Sequence, residues 1–318
     1  MLLKRVAIAV LIVIVVGLAA SYVVYARVIA EARQRISGAS AVVATPCGAI
    51  EYAAVGEGEP VLVVHGAGGG FDQGLDIGVG LIERGYRVIA PSRFGYLRTP
   101  LTGDASAAAQ ADAHACLLDA LGIARAAVLG VSAGGPSALQ LAIRHPERTA
   151  ALVLLVPAAY VPRQGAAPSL TTPPRTPVVF ATALRFDFLF WAATRAAPQT
   201  MEQAVLGTPS EVLDAASPEE QRRVAQMLEH ILPVSSRRLG LLNDAAVVST
   251  LERYELDRIT APTLVVTARD DLYGTYETGK YTAEQVANAK FVGFDEGGHM
   301  LVGHQGEADD EIAAFLRR

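Results

Sequence analysis

Ala126-Ala127-Val128-Leu129-Gly130-Val131-Ser132-Ala133-Gly134-Gly135-Pro136 decides how this chain is read. The apolar run 126–129 has the character of a short buried strand. Residues 136–144 have the character of a helix. Between them stands G-x-S-x-G, the pattern of a nucleophile elbow. The turn is tight, and its serine sits at the apex in an unfavourable backbone conformation. Glycines flank it because neighbouring side chains would collide with adjacent backbone. Ser132 is therefore the candidate nucleophile; the competing reading is a serine capping a helix N-terminus. A serine hydroxyl is a poor nucleophile at neutral pH, so the rest of the chain must supply a base and a group that orients it.

Outward from the elbow, strand-like and helix-like stretches alternate. Gly48 to Val55 reads as an early strand, stopped by the turn cluster Gly56-Glu57-Gly58-Glu59-Pro60. Val61-Leu62-Val63-Val64 is a wholly apolar run of strand length, typical of a buried parallel strand. It enters His65-Gly66-Ala67-Gly68-Gly69-Gly70. A helix over 75–84, a strand over 86–91 and a helix over 107–121 follow. After the elbow come a strand over 151–156, a strand over 262–267, a last strand over 290–294 and a final helix over 308–316. This alternation predicts an α/β fold: a mostly parallel central sheet with helices on both faces. It is interrupted from Tyr160 to about Asp257 by mostly helical, proline-punctuated sequence. Phe180, Phe186, Phe188, Phe190 and Trp191 cluster there. An insertion at this place reads as a helical cap over the C-terminal edge of the strands, where ligands bind in open α/β sheets.

The chain has 318 residues, a formal charge of −5 and a hydrophobic content of 51%. No basic patch stands out, which argues against nucleic acid as a partner. Cys47 and Cys116 lie far apart, without metal-ligand spacing, and specify neither a zinc site nor a disulfide framework. Val6 to Ala26 carries no charged residue. About 21 helical residues span roughly 31 Å, the thickness of a bilayer's hydrocarbon core. Lys4 and Arg5 precede the run, Arg27 follows it, and Tyr22 and Tyr25 stand where an interfacial aromatic belt belongs. A transmembrane anchor is favoured over a signal peptide cut near Ala19-Ala20-Ser21, because signal-peptide cores are shorter. Lysine and arginine numbers do not fix the orientation; the short basic N-terminus favours an extracytoplasmic catalytic domain. The expected organisation is a membrane anchor over 1–27, a connector over 28–45, a core in two pieces (46–159 and 258–318) and a cap over 160–257.

His65-Gly66-Ala67-Gly68-Gly69, Gly130-Val131-Ser132-Ala133-Gly134-Gly135, Arg269-Asp270-Asp271 and Gly298-His299 together resemble the α/β-hydrolase superfamily. The narrower resemblance is to its cap-bearing branch of esterases, lactonases, carbon–carbon bond hydrolases and cofactor-free haloperoxidases. It covers roughly residues 45–318. It implies the α/β-hydrolase fold and the chain order serine, acid, histidine. The acid then follows the strand after the cap, at Asp271 or Asp270; the resemblance favours Asp271, with Asp270 as a turn former. The base follows the last strand, at His299, with His304 as the alternative. Two backbone amides, that of Ala133 and that of Ala67 or else Gly68, are expected to hold an oxyanion. Gly68, Phe94 and Tyr96 are expected to line the substrate pocket, and His65 to brace the glycine-rich loop. One departure is visible: many relatives begin the loop after residue 91 with aspartate, and this chain has Ser92.

The resemblance implies a serine hydrolase of the carboxylic-ester type, acting on a small-molecule ester or related acyl bond, and the uncharged N-terminal run adds the expected membrane anchor. No metal or organic cofactor is implied. Lactone hydrolysis, carbon–carbon bond hydrolysis or acyl transfer on the same three residues are the alternatives, and a non-catalytic binding protein is a remoter one.

Overall fold

The computed structural model describes residues 2–162 and 181–317. Phe180 and most of the first twenty residues assigned to the cap lie outside the described residues. In chain order the core elements are α1 (Leu2–Ile36), β1 (Ala41–Thr45), β2 (Gly48–Val55), β3 (Pro60–Val64), α2 (Phe71–Glu83), β4 (Arg87–Pro91), α3 (Ala107–Ala120), β5 (Ala126–Val131), α4 (Gly135–Arg144) and β6 (Thr149–Leu155). Helices α5 (Asp187–Ala196), α6 (Pro198–Leu206), α7 (Ser210–Ala215), α8 (Pro218–Glu229) and α9 (Arg238–Ser249) follow. The core resumes with β7 (Thr263–Ala268), α10 (Thr275–Gln285), β8 (Ala289–Phe294) and α11 (Gln305–Leu316).

The eight strands form one sheet in the order β1-β2-β4-β3-β5-β6-β7-β8. β2 pairs antiparallel with β1 and β4, and every pairing from β4 to β8 is parallel. This is the α/β-hydrolase fold. Strand alternation sorts the core into two layers. Leu62, Val64, Val128, Leu152 and Leu154 pack with α3 and α4 on one face. Val61, Val63, Leu129, Val153 and Leu155 pack with α2 and α11 on the other. Both faces are covered, so the central strands read as unbroken apolar runs rather than alternating ones. The helices between β6 and β7 have an apolar cluster of their own around Leu184, Leu206, Leu213, Val224, Leu228 and Ile231.

The structure differs from the sequence reading at two places near the N-terminus. Residues 28–45, expected as a polar, partly helical connector, hold the end of α1, which runs on to Ile36, and an unexpected edge strand β1 over 41–45, paired Ala41↔Tyr52 through Thr45↔Gly48. The polar look of 27–36 conceals helical spacing: Ile29 and Ala32 are buried, while Arg27, Glu31 and Arg33 face out. Second, Cys47 and Cys116 form a disulfide across 69 residues of sequence. The β1–β2 turn lies against α3, which spacing along the chain does not reveal.

Candidate active site

The elbow takes its shape from what glycine leaves out. A Cβ on Gly130 would overlap the Ala138 methyl, and one on Gly134 would overlap the carbonyl oxygens of Val64 and His65. Ser132 itself has φ 48°. A left-handed serine costs on the order of 1–3 kcal/mol, held here by the strand before it and the helix after it.

The structure brings Ser132, His299 and Asp271 together at the C-terminal edge of the sheet. The Ser132 hydroxyl lies 2.9 Å from His299 Nε2, and His299 Nδ1 lies 2.7 Å from Asp271 Oδ2. With Nδ1–H donating to the carboxylate, Nε2 is left to accept the serine proton. Asp271 is buried and also accepts from the Tyr273 amide at 2.8 Å and from the Thr275 hydroxyl. Asp270 is placed elsewhere: its carboxylate accepts the amides of Gly297 (3.2 Å) and Gly298 (2.8 Å), tying down the loop that carries His299. His304 sits at the N-cap of α11 with its ring stacked on Phe294, 4.3 Å between centroids. Tyr273 packs edge-on against His299 at 4.9 Å. Burial, with the Asp271 charge added, pushes its phenol up to about 12, so it stays neutral.

The glycine-rich loop after β3 is pinned from several sides. Gly66 N donates to Gln73, the Gly66 carbonyl accepts from Arg93 and lies 2.7 Å from His65 Nδ1, and Gly68 N donates to the Tyr96 hydroxyl. The Gly69 carbonyl accepts from Arg237. Among the described residues, the amides of Ala67 and Ala133 have no hydrogen-bond partner. Both residues, with Ser132 and His299, line a cavity of about 820 Å³. Its remaining wall is mainly apolar, including Leu75, Ile77, Val156, Met227, Leu241 and Leu251.

Three expected pocket residues are corrected. Gly68, Phe94 and Tyr96 are absent from the cavity wall. Phe94 is buried in the core beside α3, its amide bonded to Gln110. Tyr96 turns inward because a buried acceptor waits there: its hydroxyl donates to Asp244 of α9. Gly68 is covered by Ile231 and by the Tyr96 hydroxyl.

Several groups that hold the site escaped the sequence reading. Asp244 takes Arg93 in a bidentate pair at 2.6 and 2.7 Å. Burial alone would lower the Arg93 guanidinium, but Asp244, with Tyr96 beside it, more than offsets burial and raises it. Glu51 of β2 supplies the carboxylate missing at position 92: it accepts from the Ser92 hydroxyl at 2.9 Å and from Arg98 Nε at 2.7 Å. The Gly207 carbonyl, between α6 and α7, accepts the amides of Leu272 and His299 and so ties the acid loop to the histidine loop. A charged residue amid strand-like sequence was the one available signal for Glu51; nothing in the pattern marked the other two.

Two histidines behind the site are buried and uncharged. His65 lies below its ordinary value through burial and the nearby Arg93 charge; its Nε2 accepts from the Arg93 amide. His114 is lowered to about 3, by burial first and Arg93 second, and its Nε2 lies 3.3 Å from the Ser137 hydroxyl. A lowered folded-state pKa means the unfolded chain binds the extra proton, so stability rises with pH. The contribution of His114 is complete above its ordinary value of 6.5 and is lost as pH falls toward about 3. Over that window His114 costs about 1.4 kcal/mol per pH unit. Thermal unfolding in detergent at a series of pH values is expected to show this slope, reduced in His114→Gln. An unchanged slope in that variant overturns the assignment.

An eight-stranded, mostly parallel sheet with a serine elbow after β5, a carboxylate after β7 and a histidine after β8 defines the α/β-hydrolase class. The family comparison agrees: residues 59–303 match the family described as alpha/beta hydrolase fold, and the chain belongs to that family. A solved alpha/beta hydrolase fold protein from Nakamurella multipartita is 33% identical, with 87% of this chain and 99% of that one covered at a TM-score of 0.65. An esterase structure from Exiguobacterium antarcticum shares the fold at 20% identity, covering 87% of this chain and 99% of that one, with a TM-score of 0.67. Over a shorter stretch of 104 residues, 31% of this chain, the sequence is 44% identical to 2-hydroxymuconate semialdehyde hydrolase of Pseudomonas putida. That match spans 37% of the length of the curated relative.

Proposed function

We propose that the protein is a membrane-anchored serine hydrolase that cleaves an ester or related acyl bond through an acyl-enzyme. The observation that carries this reading is the hydrogen-bonded chain from Ser132 through His299 to Asp271, opening on an apolar cavity. Ser132 Oγ attacks the carbonyl carbon as His299 Nε2 takes its proton. Asp271 stays ionised, keeps Nδ1–H in place and stabilises the imidazolium. The amides of Ala67 and Ala133 receive the developing oxyanion. Collapse expels the alcohol, which leaves with the proton from His299. Water, deprotonated by His299, then attacks the acyl carbon and releases Ser132. Asp270, with both oxygens given to the Gly297 and Gly298 amides, is assigned to the loop rather than to the chemistry.

The organisation proposed around this site is a spanning helix within residues 6–26, a two-part core and a cap built from the helices between β6 and β7. Helix α1 is long and apolar enough to cross a membrane. The Cys47–Cys116 disulfide supports an extracytoplasmic catalytic domain, because such bonds persist in oxidising compartments.

A fluorophosphonate probe tests the chemistry by phosphonylating an activated serine. Covalent labelling mapped to Ser132 is expected, and the absence of labelling in folded protein overturns the reading. Carbon–carbon bond hydrolysis on the same residues has one observation in its favour, the local identity to the Pseudomonas putida enzyme. A panel of acyl esters against vinylogous 1,5-diketone acids separates the two.

A further inference from the structure

Helix α1 does more than precede the domain. It is continuous from Leu2 to Ile36, and its apolar half is exposed, with Val13 at 70% and Leu18 at 62%. Where the uncharged run ends, the helix becomes part of the folded body. The Tyr25 ring meets Phe188 edge-on at 5.2 Å and Trp191 at 5.6 Å. Ile29 and Ala32 are buried against Trp191 and Leu232. Arg35 donates to the carbonyls of His230 (3.0 Å) and Leu232 (2.8 Å), and Arg33 lies 3.7 Å from Asp187. These contacts hold α5 beside the residue at which α1 would leave a bilayer.

The surface of α5 suits that position. Phe186 and Leu189 are about half exposed, at 53% and 51%. Arg27, Arg33, Arg185 and Arg195 are exposed around them; Arg33 and Arg195 have acidic neighbours in Asp187 and Glu229. Aromatic rings at the headgroup level flanked by arginines are what an interfacial helix needs. The cavity is close by: Gln226, Met227 and His230 line it, and the His230 carbonyl is the one Arg35 holds.

We propose that α5 rests on the bilayer surface, docked there by α1, and that the cavity takes acyl esters that partition into the membrane. The substrate class rests on the serine-hydrolase reading; the docking does not. Trp191 is the sole tryptophan of the chain, and both cysteines are in the disulfide, so two site-specific reporters are available. The full-length protein is placed in phosphatidylcholine vesicles containing brominated lipid. Trp191 emission is expected to fall when the bromines lie near the headgroups, and less when they lie deep. A nitroxide on Leu189→Cys is expected to collide with membrane-dissolved oxygen in preference to an aqueous nickel chelate. The same label on Glu147→Cys, exposed just before β6 at the sheet edge opposite the site, is expected to show the reverse. Equal aqueous access at both labels overturns the docking, while fluorophosphonate labelling of the same vesicles reports separately on the chemistry. For the substrate class, the double variant Phe186→Asp/Leu189→Asp is expected to slow hydrolysis of a vesicle-borne long-chain ester about tenfold, by lost apolar contact with lipid. A soluble short-chain ester is expected to be cleaved at the unchanged rate. Equal effects on both esters, or none on either, overturn the membrane-substrate inference.

Discussion

Ser132→Ala is expected to lower kcat by about 10⁴- to 10⁶-fold, the loss seen when a nucleophile that acts as a unit with its base is removed. On the proposed mechanism the variant cannot form an acyl-enzyme, because the hydroxyl that lies 2.9 Å from His299 Nε2 is gone. On the same reading any residual rate would come from the amides of Ala67 and Ala133 and from substrate positioning. The fold should survive. Ser132 Oγ has His299 as its hydrogen-bond partner, the residue is only partly buried, and alanine carries the same left-handed backbone penalty as serine. The measurements are kcat and KM on an acyl ester, with a thermal melt of the same preparation. Near-unchanged KM with collapsed kcat supports the assignment. Activity within tenfold of the parent moves the nucleophile elsewhere.

Asp244→Ala is expected to produce the largest loss of stability of any single substitution at the site, about 3–5 kcal/mol. The pair it breaks is buried on both sides, with Arg93 and Asp244 side chains 6% and 7% exposed. Arg93 would keep its hydrogen bonds to the carbonyls of His65 and Gly66 but would hold a buried charge without a counterion. Tyr96 would lose the acceptor of its hydroxyl; burial and the Asp244 charge hold that hydroxyl well above the ordinary tyrosine range, so it remains a donor. The damage reaches the chemistry, because the same hydroxyl accepts the Gly68 amide next to Ala67. The expected result is a melting midpoint lowered on the order of 10 °C, with kcat reduced more than KM is raised. Asp244→Asn, which keeps one acceptor without the charge, should fall between. A loss below about 1 kcal/mol would mean that α9 does not clamp the loop through this pair.

The site was legible to different degrees for physical reasons. Gly130, Ser132 and Gly134 are readable because the tight turn itself imposes the motif; a Cβ on Gly130 would meet Ala138 of the helix that follows and one on Gly134 the end of β3. The aspartate pair 270–271 and His299 were reached through the family resemblance, which places an acid after the strand that follows the cap and a histidine after the last strand. The choice between Asp270 and Asp271 was not readable from residue type, since both are aspartates in one turn; orientation separates them, one toward His299 and the other toward the Gly297 and Gly298 amides. Phe94 and Tyr96 were assigned to the pocket because they follow a strand end beside it. Their side chains go inward, to the core beside Gln110 and to the buried carboxylate of Asp244. Glu51 illustrates substitution at a distance: a strand residue 41 positions away from Ser92 completes that corner.

By itself the sequence determined the α/β class and the G-x-S-x-G elbow, because periodicity and tight turns are properties of short segments; the expected order of serine, aspartate and histidine came from the family resemblance. It also marked a helix long enough to span a bilayer. Only the tertiary structure decided which aspartate faces the histidine, that Cys47 meets Cys116, and that Asp244 from α9 holds the loop carrying Ala67. It alone decided that α1 packs on Trp191. These are pairings between segments far apart in the chain, 69 positions for Cys47 and Cys116 and 151 for Arg93 and Asp244. Their partners are chosen by three-dimensional packing and by the cost of leaving a buried charge or donor unmatched, neither of which is written in local sequence.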